Sequence, residues 1–104
     1  AHVIASPHGP IASVAVEEQV RNVLGLEVAA VGVGPVGAQV LVIVTSGGKT
    51  LQLASSDTAE AVRGATDLRV AAVLQGTLPL DSRHRSKIDR SALGRQASDF
   101  LAGR

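Results

Sequence analysis

The stretch LEVAAVGVGPVGAQVLVIVT, residues 26–45, decides the fold of this 104-residue chain. It contains two runs of strand length, 26–33 and 38–45, that are rich in β-branched residues. Neither run alternates between apolar and polar residues, and each has a continuous apolar part, which is typical of strands covered on both faces. The four residues 34–37 connect them closely enough for an antiparallel hairpin. The stretch therefore predicts a buried hairpin with other elements packed on each side of it.

The residues before the hairpin predict a ribbon and a helix. Segments 2–6 and 11–13 are short and extended, and the Pro and Gly residues between them favour a turn, so a two-stranded ribbon is expected. Ser13 is expected to cap a helix that runs to about Leu24, with Gly25 as its C-terminal stop. The apolar stripe of this helix consists of Val16, Val20, Val23 and Leu24.

The residues after the hairpin predict two further helices and one more strand. Asp57 and Glu60 have the spacing of a capping box, which predicts a short helix to about Arg63. Residues 69–74 have the composition of a third buried strand, and Asp89 is expected to cap a C-terminal helix. The apolar stripe of that helix consists of Leu93, Ala97, Phe100 and Leu101. The predicted fold is α+β, with a small central three-stranded sheet flanked by helices and an N-terminal two-stranded ribbon, in a single domain over 1–104.

The composition of the chain limits the kinds of partner that it is expected to bind. Phe100 is the only Phe, Trp or Tyr, so stacking of bases on aromatic side chains is excluded as a general binding mode. The net charge of +1 gives no strong attraction to nucleic acid or to an anionic membrane, and no nucleic-acid partner is expected. The longest apolar run is far too short to cross a bilayer, so no membrane span is expected. The chain has no cysteine, which is compatible with the cytoplasmic location that we expect.

Two glycine-rich motifs resemble phosphate-binding loops without their context. GVGPVG at 32–37 has the spacing of a dinucleotide fingerprint, but a strand follows it, whereas that fingerprint needs a helix N-terminus. GGKT at 47–50 resembles the end of a P-loop, but Ile43 stands where the first glycine of that motif belongs. Both motifs are therefore predicted to be turns.

The acidic and imidazole side chains form no recognisable cluster. The three histidines, His2, His8 and His84, are scattered and lack a partner at ligand spacing, so no metal site is predicted. Glu17 and Glu18 are adjacent on a predicted helix and point in different directions, which argues against a paired acid/base role. Both are expected on a solvated face.

The basic segment SRHRSKIDRSAL, residues 82–93, holds the excess positive charge of the chain. From Leu78 onward there are six Lys and Arg against three Asp, whereas the earlier residues have four Lys and Arg against six Asp and Glu. One interpretation is a flexible basic connector. The other is a catalytic loop, because Lys87 lies just ahead of a predicted helix start and among other cations, where an anion is stabilised. A lysine is a compact and mobile charge that suits a carboxylate and a phosphate brought together.

The order of these elements resembles the C-terminal, mobile subdomain of adenylate-forming enzymes, which include acyl-CoA synthetases, peptide-synthetase adenylation domains and luciferases. VEEQVRNVLGLEVAAVGVG at 16–34 is similar to the family's helix-and-strand unit "E-x-x-L…V…AAVVG". HVIASPHGPI at 2–11 resembles the glycine-bearing ribbon after the interdomain hinge. LPLDSRHRSKIDRSAL at 78–93 is similar to the terminal motif "LP…GKIDR…L", whose lysine is the adenylation lysine. The resemblance covers nearly the whole chain and implies this catalytic role for Lys87.

A narrower resemblance is to the branch that makes β-lactones from β-hydroxy fatty acids in bacterial olefin synthesis. That branch has a terminal motif "P-x-D-x-R-H-x-x-K-I" and an "A-H-G" ribbon. The matching residues here are Pro79, Asp81, Arg83, His84, Lys87 and Ile88 in the first, and His8 and Gly9 in the second. Ser86 departs from the family, which usually has glycine before the lysine, and implies a stiffer or differently turned loop.

The resemblance implies an ATP-dependent fatty acid-activating ligase that forms an acyl-AMP and then a CoA thioester. ATP and Mg²⁺ would be bound mainly by an N-terminal adenylation domain that is absent from this sequence, with CoA as the acceptor in thioester-forming relatives. The residues expected near substrate or nucleotide are Gly9, His8, Arg83, His84 and Arg85. The 104 residues alone are expected to fold but to be inactive. The alternatives are a β-lactone synthetase acting on β-hydroxy fatty acids and a stand-alone basic protein-interaction module.

Overall fold

A four-stranded mixed sheet forms the centre of the molecule in a computed structural model that describes residues 2–83 and 86–104. The elements in chain order are β1 (Val3–Ser6), β2 (Gly9–Ala12), α1 (Ser13–Leu24), β3 (Val28–Val33), β4 (Val40–Ser46), β5 (Gln52–Leu53), α2 (Ser56–Ala65), β6 (Val70–Gly76) and α3 (Arg90–Leu101). The predicted α+β class, with a central sheet, flanking helices and an N-terminal ribbon, is confirmed. The sheet has one strand more than predicted, because β5 is only two residues long and gives no periodic signal.

The hairpin at 26–45 forms as predicted and supplies the middle of the sheet. Strands β3 and β4 pair antiparallel from Val28 opposite Thr45 to Val33 opposite Val40. The connecting turn uses glycine where the backbone requires it, since Gly34 and Gly37 have φ of 110° and 86°. Strand β6 then pairs parallel to β4, so the carboxyl ends of these two strands lie at the same end of the sheet.

Both faces of the sheet are covered, as the continuous apolar runs predicted. Helices α1 and α2 pack on one face, where the buried residues are Ile4, Val16, Val20, Val28, Ala30, Leu41, Ile43, Val62, Val70 and Val73. Helix α3 packs on the other face, where the buried residues are Ala29, Val31, Val42, Val44, Leu74, Leu93 and Ala97. Val23 and Leu101, which were predicted to belong to the helix stripes, are 62% and 43% exposed. The apolar stripes of α1 and α3 are therefore narrower than their sequences indicate.

Helix capping was predicted correctly for one helix of the three. Asp89 caps α3, since its Oδ1 accepts a hydrogen bond of 3.0 Å from the Ala92 N–H. Ser55 caps α2 instead of Asp57, because the Ser55 hydroxyl accepts from the Thr58 N–H. Ser13 is the first residue of α1 and does not cap it; its hydroxyl is buried and has no hydrogen-bond partner among the described residues. A capping serine has non-helical backbone angles, which let its hydroxyl reach the N–H groups of the first turn. Ser13 already belongs to the helix, and Ala12 occupies the capping position.

The N-terminal ribbon is held against the turn of the β3–β4 hairpin. The Ala5 carbonyl accepts hydrogen bonds of 3.0 Å from the N–H groups of both Gly37 and Gln39. The Ala5 N–H in turn donates to Gln39 Oε1 at 2.8 Å. These contacts fix the ribbon to the sheet through backbone groups that would otherwise lack partners. No helix in the described part of the chain is long and apolar enough to cross a membrane.

Candidate functional site

The backbone around Lys87 is fixed by a short antiparallel pairing between the two ends of the basic loop. The Asp81 N–H donates to the Lys87 carbonyl, and the Asp89 N–H donates to the Pro79 carbonyl, both at 2.8 Å. Leu80 and Ile88 form the isolated bridge between these two bonds. Ile88 also packs against the core beneath α3. The two ends of the loop are therefore held in place.

The side chain of Lys87 is exposed at the rim of an open cleft of about 780 Å³. The cleft lies beyond the carboxyl ends of β4 and β6, where Ser46 and Gly76 line it. The segments after these strands and the loop that carries Lys87 line the cleft, and so do Glu17 and Arg90. An exposed ammonium beside a cleft open to solvent is free to meet an anionic ligand or a second domain.

Glu17, which was predicted on a solvated face, is instead buried beside the start of α3. It is 2% exposed, and its Oε2 accepts a hydrogen bond of 2.9 Å from the Ala30 N–H. The guanidinium of Arg90 donates to both carboxylate oxygens, with 2.8 Å from Nε to Oε2. The prediction was wrong because a carboxylate is tolerated inside when it is paired and hydrogen-bonded. Glu18 is exposed, as predicted.

The ion pair fixes the protonation state of Arg90. Hydrogen bonding to Glu17 is the main cause that raises the pKa of the Arg90 guanidinium, and the charge of Glu17 adds to it, while burial opposes both. A raised pKa contributes stability that is fully present below the ordinary pKa of an arginine guanidinium and is lost only as the pH rises above it. Arg90 therefore stays charged throughout the pH range in which proteins are handled.

The other basic residues of the loop are placed only in part. Arg83 is exposed, and its backbone N–H donates to Asp81 Oδ1 at 2.8 Å, which closes a tight turn. Ser86, the departure from the family pattern, is exposed next to Lys87 and lines the same cleft. His84 and Arg85, both predicted near substrate or nucleotide, lie outside the described residues.

His8 and Gly9 lie at the other end of the sheet from Lys87. They form the turn of the ribbon, where Gly9 has a φ of 112° and its carbonyl accepts from the Ser6 hydroxyl at 2.6 Å. A second groove of about 780 Å³ runs from this turn along the amino ends of β4 and β6, and Arg69 lines it. Strand β4 is seven residues long, so the two grooves are separated by roughly 20 Å at about 3.3 Å per residue. The structure does not bring Lys87 together with His8 and Gly9.

The two glycine-rich motifs are turns, as predicted. Strand β4 follows the first motif and strand β5 follows the second, so neither leads directly into a helix N-terminus that could bind phosphate. Within residues 2–83 and 86–104, no group of three or more His, Cys, Asp or Glu side chains is arranged to hold a metal ion.

Comparison with known proteins finds no family model that matches this chain and no match among curated proteins. A function for the chain therefore has to be inferred from its residues and their arrangement.

Proposed function

We propose that this chain is the C-terminal subdomain of an adenylate-forming enzyme, an ATP-dependent ligase that activates a fatty acid. The observation that carries the proposal is the placement of Lys87. Its side chain is exposed beside a cleft, while its backbone carbonyl is held by the Asp81 N–H immediately before a capped helix. The motif around it is similar to the terminal motif of that family, in which this lysine serves adenylation. A fixed backbone beneath an exposed cation is what a residue delivered to a second domain requires.

The role of Lys87 follows from the charges of the reaction. In adenylation a carboxylate oxygen attacks the α-phosphorus of ATP, the bond to the bridging oxygen breaks, and pyrophosphate leaves. Two anions have to approach each other, so a cation between them stabilises the transition state more than the separate reactants. ATP and Mg²⁺ would be held mainly by the N-terminal adenylation domain, and Lys87 is the residue of this chain that would meet them. Arg83 is exposed on the same loop and is proposed to orient it or to contact phosphate.

The second step would use the opposite end of the molecule. In thioester-forming relatives the ribbon turn faces the thiol of CoA. His8 and Gly9 are the residues of that turn in this chain. Their separation from Lys87 by the length of β4 supports a division of labour in which each end of the sheet serves one half-reaction. In the alternative, a β-lactone synthetase, the substrate's own β-hydroxyl attacks the acyl adenylate, and this second end is not needed for the chemistry. The proposed location is cytoplasmic, where ATP and CoA are available.

Replacement of Lys87 tests the proposal in the intact enzyme. Lys87→Ala should lower ATP–pyrophosphate exchange by about 10²–10³-fold, the usual effect of removing one electrostatic donor from a transition state. The melting temperature should not change, because the side chain is exposed. Lys49→Ala is the matched control, since Lys49 is the other lysine of the chain and is also exposed. The 104 residues alone should show no exchange.

A different result would favour the protein-interaction module. That module predicts that Lys87→Ala and Arg83→Ala weaken the binding of an acidic partner to a similar extent. The binding would also weaken steeply with salt, because exposed charges are screened. Such equivalence, together with full exchange activity of the Lys87→Ala enzyme, would overturn the proposed function.

A further inference from the structure

Glu17 connects three elements of the fold at the base of the Lys87 loop. It belongs to α1, accepts a hydrogen bond from Ala30 on strand β3, and binds the guanidinium of Arg90 on α3. Its side chain is 3% exposed and that of Arg90 is 20% exposed, so the pair is largely withdrawn from water. A buried carboxylate that is paired on two sides has little freedom to move.

Hydrogen bonds connect the start of α3 with the backbone of Lys87. Arg90 is the first residue of α3, and Asp89 caps the helix while its N–H donates to the Pro79 carbonyl. Lys87 lies two residues before Asp89, and its carbonyl accepts a hydrogen bond from the Asp81 N–H. The start of α3 and the backbone of Lys87 therefore belong to one hydrogen-bonded unit, and the largely buried ion pair between Arg90 and Glu17 joins this unit to α1.

We infer that Glu17 is the positioning residue of Lys87. By binding Arg90 at the edge of the cleft, it fixes where the start of α3, and with it the backbone of Lys87, lies relative to the sheet. The catalytic consequence rests on the proposed function, whereas the structural consequence does not. The inference differs from a general structural role, because it predicts a local change at the loop and an effect on activity that requires Lys87.

The structural part is tested on this 104-residue chain by amide hydrogen exchange. Glu17→Gln keeps the shape of the side chain but removes its charge, so exchange at the Asp81 and Asp89 amides should accelerate by about tenfold or more, since local opening becomes easier. The amides of β4 should stay protected. Glu18→Gln, the same change on the exposed neighbouring residue, should leave all of these rates unchanged.

A second variant covers the case in which Glu17→Gln does not fold. Arg90→Lys keeps the positive charge but lacks the planar fork that reaches both oxygens of Glu17, and it should accelerate exchange at the same two amides. Unchanged exchange at Asp81 and Asp89 in Glu17→Gln would overturn the inference. So would loss of protection throughout the sheet in both variants, because Glu17 would then support the whole fold instead of the loop.

The catalytic part is tested in the intact enzyme by a double-mutant cycle. Glu17→Gln should lower the rate of ATP–pyrophosphate exchange by about 10²-fold, since a displacement of about 1 Å costs that much at a reacting centre. In the Lys87→Ala background the same change should have no further effect, because residues that act through one another are not additive. An equal loss in both backgrounds would overturn the positioning role. Full activity of Lys87→Ala itself would instead refute the proposed function. The amide hydrogen exchange of Glu17→Gln would still decide the structural part of the inference.

Discussion

Gly32 is the residue at which the ribbon, the hairpin and the sheet come closest together. A Cβ on this residue would lie 2.6 Å from Gln39 Oε1 and 2.9 Å from Ile4 Cγ2. The Gln39 carboxamide cannot simply rotate away, because its oxygen accepts the hydrogen bond from the Ala5 N–H that holds the ribbon. Gly32 therefore leaves room for a contact that no larger residue permits.

We expect Gly32→Ala to lower the free energy of unfolding by about 1–3 kcal/mol, as overpacking of a tight contact does. The measurement is urea denaturation followed by circular dichroism. Gly64→Ala is the control, since Gly64 lies in α2 with open space around its Cα and a helical backbone. Gly64→Ala should raise the free energy of unfolding by about 0.4–1 kcal/mol, because alanine lowers the conformational entropy of the unfolded chain. Equal effects of the two substitutions would contradict the contact described here.

Local sequence could single out Lys87 but not the environment of Glu17. Lys87 stands directly before a capping residue in a charged segment, and that pattern is contained within a few positions. Helical spacing separates the two neighbours, because Glu17 lies three and seven residues before Val20 and Leu24, at the edge of the apolar stripe, whereas Glu18 points away from it. Spacing does not identify the partner that binds the Glu17 carboxylate. That partner, Arg90, is 73 positions away in the chain, and no periodicity within one helix carries information over such a distance.

Helix α3 depends on its cap more than α2 depends on the capping box predicted for it. Asp89 uses both its side chain and its backbone, since Oδ1 accepts from the Ala92 N–H while its own N–H donates to Pro79. Asp57 lies inside the first turn of α2, where Ser55 already provides the cap. An aspartate near the helix start is therefore expected to stabilise α3 more than α2.

We expect Asp89→Ala to cost about 1 kcal/mol of stability, the typical cost of losing an N-cap. Asp89→Asn should retain most of the stability of the native chain, because asparagine also caps helices. Asp57→Ala should change the free energy of unfolding by less than about 0.5 kcal/mol, as surface substitutions do. Urea midpoints of the three variants check this order. A loss for Asp57→Ala as large as that for Asp89→Ala would show that the capping box was the correct assignment after all.

At the scale of elements, the strongly patterned parts of the chain were predictable and the short ones were not. The hairpin runs are long and β-branched, so their strands and turn follow from the sequence. Strand β5 has two residues, both exposed, and exists because it pairs with the edge of β6. Ser13 looked like a cap because serine favours that position, but tertiary packing buries it inside the helix instead.

The arrangement of the two grooves is a property of the whole molecule. It follows from the parallel pairing of β4 with β6, which requires the chain to cross over through β5 and α2. A sequence of strands and helices does not state which strands become neighbours. The separation of Lys87 from the ribbon turn was therefore outside what the sequence alone could predict.

If the proposed function is correct, that separation makes the turnover rate depend on the motion of this subdomain as well as on the chemical steps. Under the proposed function, the acyl adenylate would form beside Lys87, roughly 20 Å from the ribbon turn, so we expect a thioester-forming enzyme to reorient this subdomain between its half-reactions. Motion of a domain through water slows in proportion to the viscosity of the medium and takes place in about microseconds to milliseconds. We expect kcat with CoA to fall as sucrose is added, whereas lactone formation from a β-hydroxy acid without CoA should be nearly insensitive to it. If thioester formation proves as insensitive to sucrose as lactone formation, reorientation of the subdomain does not limit the rate of thioester formation.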